Sequence, residues 1–122
     1  MEITAQTTAY TKCGTWLDEL IGYLDGNADM VIRELEGTPL KVRKPEASIL
    51  MWVDCAELGW NTDALYRFAE GIGIQVDPGH YYFMDNHHIE DYTGPQSHFR
   101  MNIGTHREVL ADALTRIKGY FA

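Results

Sequence analysis

From Tyr10 onward the apolar residues Tyr10, Cys13, Leu17, Leu20, Leu24, Ala28, Val31 and Leu35 recur at intervals of three and four, the spacing that lines one face of an α-helix. The phase is kept across Gly26-Asn27. A helix that ended there would have no reason to restart in register, so the pattern predicts one long helix over 4–35, bent at the glycine and stopped by Gly37. Residues 39–42 read as short and extended. Lys41-Val42-Arg43-Lys44 alternates as an exposed edge strand does, its lysines discouraging further pairing and its basic run forming a solvated face. The unbroken apolar run within 48–54, Ser48-Ile49-Leu50-Met51-Trp52-Val53-Asp54, predicts a strand at the sheet centre, covered on both faces.

Asn61-Thr62-Asp63 is a helix start, followed by Leu65, Phe68 and Ala69 on one face and by Gly71 and Gly73 as stop signals. A strand is predicted over 74–76, and Asp77-Pro78-Gly79 turns the chain out of it. No period is visible over 80–97. Alternation returns in His98-Phe99-Arg100-Met101-Asn102-Ile103, which places Phe99, Met101 and Ile103 toward a core and Arg100 on the opposite face. Thr105 with Glu108 has the spacing of a capping box, ahead of a final helix whose apolar face is Leu110, Ala113, Leu114, Ile117 and Phe121. The resulting order is helix, strand, strand, helix, strand, strand, helix. It predicts an α+β fold, a small and mainly antiparallel sheet packed with helices and preceded by a long N-terminal helix, in one domain over 1–122.

Composition narrows the function classes. The chain has 122 residues, 45% of them hydrophobic, which suits a packed core. Ten Lys and Arg against eighteen Asp and Glu give a net charge of −8, so nucleic-acid partners are not expected. No apolar stretch approaches the roughly 20 residues that cross a bilayer, and Met1-Glu2-Ile3-Thr4-Ala5-Gln6 lacks the features of a signal peptide. A cytoplasmic location without membrane contact is the expectation. Cys13 and Cys55 are far apart and outside any CxxC spacing, as two small apolar residues would be.

Candidate chemistry is sparse. His80, His87, His88, His98 and His106 cluster in the last third beside Asp85, Glu90 and Asp91, but with neither HExxH nor HxxxH spacing they read as a polar loop ahead of a metal site. Gly71-Ile72-Gly73 follows a helix instead of opening one, so it reads as a helix terminator and not a phosphate loop. Ser48 and Ser97 lack the setting of a nucleophile, and no complete catalytic constellation is present. Arg100 stands out. A guanidinium on a strand can bind the carboxylate of an amino acid through two parallel hydrogen bonds, or it can pair with a neighbouring Asp or Glu. The Tyr81-Tyr82-Phe83 cluster and the long segment before Arg100 are in keeping with a binding loop.

In order and spacing, several strings resemble the C-terminal part of the fold-type I, class I/II aminotransferases that use pyridoxal phosphate (PLP), and most of all their C-S β-lyase (cystathionine β-lyase-like) branch. These are Ala9-Tyr10 through Gly14-Thr15-Trp16-Leu17-Asp18-Glu19-Leu20 to Tyr23-Leu24-Asp25-Gly26-Asn27, and Pro45-Glu46-Ala47-Ser48-Ile49-Leu50-Met51-Trp52-Val53-Asp54-Cys55. Gly71-Ile72-Gly73-Ile74, Asp77-Pro78-Gly79 and Arg100-Met101-Asn102-Ile103-Gly104-Thr105-His106-Arg107 follow. His106 stands where the family usually has proline, and the segment from Gly79 to Arg100 is longer and richer in His and Tyr than the family's loop.

The resemblance implies a small domain that closes over substrate, with the long first helix leading in from a large cofactor domain. It also implies that Arg100 binds the substrate α-carboxylate while PLP acts as electron sink, in transamination or in β-elimination of a sulfur leaving group. The cofactor's anchoring lysine belongs to the large domain. Lys12, Lys41, Lys44 and Lys118 all lie outside the family's serine-x-x-lysine context. The chain alone is therefore expected to bind no PLP and to be inactive, with the amino-acid carboxylate, the large domain and a second copy of itself as partners. The alternative is a stand-alone carboxylate-binding or dimerisation module without enzymatic activity.

Overall fold

The computed structural model describes residues 2–82 and 97–122. The N-terminal stripe forms two consecutive helices, α1 (Glu2–Lys12) and α2 (Gly14–Leu35), instead of one. Their junction is Cys13, whose φ of −106° and ψ of 24° leave the helical region at a single residue. Helical hydrogen bonding continues on either side of it, from Cys13 N to Ala9 O and from Leu17 N to Cys13 O. Gly26, where a bend is expected from sequence, lies inside α2, where the Arg107 guanidinium passes close over it.

The sheet has four strands: β1 (Lys41–Val42), β2 (Leu50–Asp54), β3 (Asp77–Pro78) and β4 (His98–Asn102). All pairs are antiparallel and the order across the sheet is β1-β2-β4-β3, with β1 at an edge as its lysines predict. The β2–β4 ladder runs from Leu50↔Asn102 to Asp54↔His98, and the bonds Ile103 N to Ile49 O and Cys55 N to Ser97 O prolong it at both ends. Strand β2 is central, but among the described residues only one of its faces is covered. Met51 and Val53 are buried, whereas Trp52 points to the open face and is 41% exposed. The apolar run begins its pairing late because Ser48 takes a left-handed turn (φ 85°), its Oγ accepting from Leu50 N.

Two further boundaries differ from expectation. Residues 74–76 are not a strand. Asp77 and Pro78, expected in a turn, instead pair with Arg100 and Phe99. Proline fits there because β3 is the other edge of the sheet, where a missing N–H costs no ladder bond. The helix α3 (Thr62–Ile72) runs through Gly71 and stops at Gly73 alone. Asn61 Oδ1 caps its start by accepting from Ala64 N. At its end Gly73 adopts φ 68° while Gly73 N and Ile74 N bond back to Glu70 O and Ala69 O, the Schellman arrangement.

The last helix, α4 (Arg107–Phe121), begins two residues beyond Thr105, and its N-cap is His106, which makes no side-chain capping bond. The expected capping box is thus not formed. Its place is taken by Tyr23 of α2, whose hydroxyl oxygen accepts from Arg107 N at 2.7 Å. The Thr105 carbonyl is drawn the other way, accepting from Asn27 Nδ2 at 3.2 Å.

Helices α2, α3 and α4 share one apolar cluster with the inner sheet face, centred on Val31, Leu35, Met51, Val53, Phe68, Phe99, Ile103, Leu114 and Ile117. Helix α1 buries none of its residues. Inside this cluster lies one fully buried carboxamide, Asn27. It donates to the Ile103 carbonyl at 2.9 Å and to Thr105, and it accepts from Arg107 Nε at 3.0 Å. Replacing Asn27 by leucine leaves two carbonyls and a guanidinium without these partners. We expect Asn27→Leu to lose about 2–4 kcal/mol in urea denaturation, seen as a lower midpoint at unchanged slope. A loss below about 0.5 kcal/mol would show that water replaces the carboxamide.

Candidate functional site

The open sheet face is built by the alternate residues of each strand. Leu50, Trp52 and Asp54 come from β2, and His98, Arg100 and Asn102 from β4. Trp52 and Arg100 are direct cross-strand partners, and Asp77 faces Arg100 from β3. Arg100 therefore sits between an aromatic on one side and a carboxylate on the other. Its side chain is 27% exposed.

The guanidinium is held from two directions. In its plane, Nη2 and Nε donate to a single oxygen, Asp77 Oδ2, at 2.6 and 3.3 Å. From the other side the guanidinium carbon lies over the Tyr82 ring, 4.5 Å from its centroid. The Tyr82 hydroxyl donates to the same Asp77 oxygen at 3.5 Å, and its ring meets Trp52 edge-on at 5.3 Å. Arg100 thus has the neighbouring-acid partner that one of its two sequence readings envisaged.

Among the other sites singled out from sequence, His98 lies beside Arg100's strand neighbour, with Nε2 4.0 Å from Asp54 Oδ2 and Nδ1 3.3 Å from Ser97 Oγ. His80 Nδ1 meets Thr62 Oγ1 at 3.1 Å, and His106 precedes α4. No group of three His, Cys, Asp or Glu side chains converges as metal ligands among the described residues. His87, His88, Asp85, Glu90, Asp91 and Phe83 lie outside them. The Tyr81 hydroxyl shares a short hydrogen bond with Tyr66, which together with burial pushes the Tyr66 phenol up to about 12.

The lysines do not fit a covalent cofactor anchor. Such a lysine must be readily deprotonated, which requires burial or a nearby positive charge. Here Lys41 pairs with Glu57, Lys44 with Asp25 and Asp29, and Lys118 with Glu34, all with exposed amines. The hydrogen bonds that Lys41 donates to Glu57, and Lys44 to Asp25 and Asp29, raise the pKa values of both lysines, the opposite of what an amine nucleophile needs. Lys12 is exposed at the end of α1. None of the four lysines, then, has the setting of a covalent cofactor anchor.

What sequence reasoning missed is Asp77, read as a turn residue, and the outward direction of Trp52. The two-residue β3 is too short to leave a period, and the continuous run of β2 conceals its alternation.

The fold defines a class: a four-stranded antiparallel sheet with helices on one face, as in the small domain of PLP-dependent aminotransferases. It overlays on cystalysin from Treponema denticola, whose structure contains PLP, with TM-score 0.77 and 24% identity over 91% of this chain and 27% of that one. The PLP-bound C-S lyase from Staphylococcus hominis overlays with TM-score 0.73 and 28% identity, covering 93% of this chain and 29% of that one. In sequence, the chain is 34% identical over 119 residues to cystathionine beta-lyase PatB of Bacillus subtilis, which spans 95% of this chain and 28% of PatB. No family model matches it. The chain is thus similar in sequence to cystathionine beta-lyases and in fold to PLP-dependent aminotransferases and C-S lyases, matching the C-terminal, small-domain part of that fold. It spans less than a third of the length of the relatives it matches.

The two thiols differ in setting. Cys55 is buried and donates to the Ser97 carbonyl, and burial with the nearby Asp54 charge pushes its thiol up to about 11. Cys13 is partly exposed. At neutral pH a disulfide reagent should label Cys13 quickly and Cys55 only as the chain unfolds, because the thiolate is the attacking species. Fast labelling that survives Cys13→Ser would contradict the buried placement of Cys55.

Proposed function

We propose that this chain is the substrate-closing C-terminal domain of a PLP-dependent aminotransferase or C-S β-lyase and that Arg100 binds the α-carboxylate of the amino-acid substrate. The observation that carries the reading is the Arg100 guanidinium on the open sheet face, already paired with a carboxylate and flanked by Trp52 and Tyr82. In the complete enzyme PLP supplies an electron sink for charge developing at the substrate's Cα. The part assigned to this chain is orientation. Fixing the carboxylate fixes which substituent of Cα faces the cofactor, and a charge-assisted pair holds that geometry better than a neutral one.

The four exposed lysines, three of them held in ion pairs, support a domain that depends on a separate cofactor domain and has no turnover by itself. Helix α1, with Ile3 80% and Tyr10 91% exposed, favours a covered face in the functional assembly. That cover is the large domain in the preferred reading, or a second copy if the chain works as a stand-alone carboxylate-binding module. Immunoblotting of cell extracts with an antibody to this domain separates the two. The preferred reading expects a band more than three times the chain's own mass, as the relatives' lengths imply. A band at the chain's own mass overturns it in favour of the module.

In the complete enzyme, Arg100→Ala should weaken amino-acid binding by about 1.5–3 kcal/mol while PLP absorbance stays at its normal occupancy. Unchanged substrate kinetics would remove Arg100 from the binding site.

A further inference from the structure

Arg100 is more tightly fixed than carboxylate binding by itself requires. Its position begins with the backbone, since Asp77 and Arg100 are direct partners in the β3–β4 register. Both hydrogen bonds from the guanidinium go to one oxygen of Asp77 and use the Nε/Nη2 edge. The guanidinium carbon also sits over the Tyr82 ring, whose hydroxyl is tied to that oxygen and whose ring meets Trp52 edge-on. Among the described residues, the terminal Nη1/Nη2 edge meets no other carboxylate.

We propose that Asp77 is a positioning residue: it occupies the Nε/Nη2 edge of Arg100 and so presents the terminal Nη1/Nη2 edge, with the guanidinium carbon held over the Tyr82 ring, to an incoming carboxylate. This rests on the carboxylate-binding role of Arg100 and adds which edge binds and what holds it. A guanidinium has two forked edges, each able to take a carboxylate in bidentate fashion. With Asp77 on one edge, substrate meets a single orientation. The carbon stem, which would otherwise surrender its rotamer freedom on binding, is ordered beforehand.

Asp77 could instead act as a competitor that substrate must displace. Two observations favour positioning. Asp77 engages the arginine through one oxygen only, on the edge nearest its own strand, so the terminal edge is not obstructed. The pair is also half-open to water, with side chains 27% and 46% exposed, where the repulsion between Asp77 and a bound carboxylate is screened.

The two roles predict opposite signs. The chain, labelled with nitrogen-15, is titrated with L-alanine and with acetate at constant ionic strength while the arginine side-chain resonances are followed. We expect the Arg100 Nη signals to move while Nε–Hε, engaged by Asp77, stays in place. Asp77→Ala should weaken both carboxylates roughly two- to ten-fold, the loss expected when one side chain must be ordered on binding. In that variant Nε–Hε should join the response. Asp77→Asn keeps an acceptor oxygen and should restore the wild-type pattern. Tighter binding in Asp77→Ala, or a wild-type Nε–Hε that shifts as the Nη signals do, overturns positioning and leaves Arg100 as the carboxylate site. Arg100→Ala is the separate control. If it binds either carboxylate as the wild type does, or if the wild type shows no Arg100 response, the carboxylate reading and the positioning proposal both fall.

Discussion

Asn27 joins three parts of the chain that are far apart in sequence. Its amide donates to Ile103 and Thr105, just past β4, and its oxygen receives Arg107 at the start of α4. Buried polar groups are costly unless satisfied, so a carboxamide in an apolar cluster tolerates only the arrangement that supplies all its partners. Tyr23, one turn earlier on α2, completes the lock: its hydroxyl accepts from Arg107 N, its carbonyl from Arg107 Nη2, and its ring underlies the guanidinium at 4.7 Å. Apolar packing would let α2 slide along the sheet in small steps. These directional bonds fix its height and rotation relative to the end of β4.

That restraint reaches the site through β4. The strand leaves the Asn27 lock at Ile103 and is held along its length by β2, so Arg100, three residues away, has little freedom of position. Alternation does the rest: Phe99 and Met101 are buried in the core, which obliges Arg100 to face outward. Because β3 and β4 pair in register, the same geometry brings Asp77 opposite the guanidinium. The core-facing and site-facing sides of β4 are thus set by one constraint, and a register slip of one residue would lose both.

Much of this was legible in the residues. Alternation in 98–103 identified β4 and the direction of Arg100, and the stripe from Ala28 to Leu35 identified the buried face of α2. The resemblance to PLP-dependent aminotransferases and C-S lyases, too, was carried by strings spread over nearly the whole chain. What escaped were features whose cause is tertiary. Thr105 and Glu108 have capping-box spacing, but Tyr23 caps the helix from another element, a contact between residues 84 apart that no local pattern encodes. The β2 run is apolar on both faces, so its composition could not say which side lay open. Asp77 reads as a turn former beside Pro78-Gly79 and becomes a strand residue only because β4 is there to pair with it.

The apolar stripe of the N-terminal helices keeps one phase but changes environment along its length. Val31 and Leu35 at its C-terminal end are fully buried, whereas Tyr10 and Leu17 on the same line are 91% and 50% exposed. Sequence periodicity records where a helix meets apolar surroundings, whichever element supplies them. Trp16 and Ile21 widen the uncovered surface, which is more than scattered surface apolar residues would explain. Cys13 interrupts the helix where the stripe emerges from the domain, so the direction of α1 is not set by the core below. The sheet and its lock complete one half of the stripe's burial. The other half, from Tyr10 to Leu17, stays largely exposed among the described residues, which is why one periodic stripe reads as two environments.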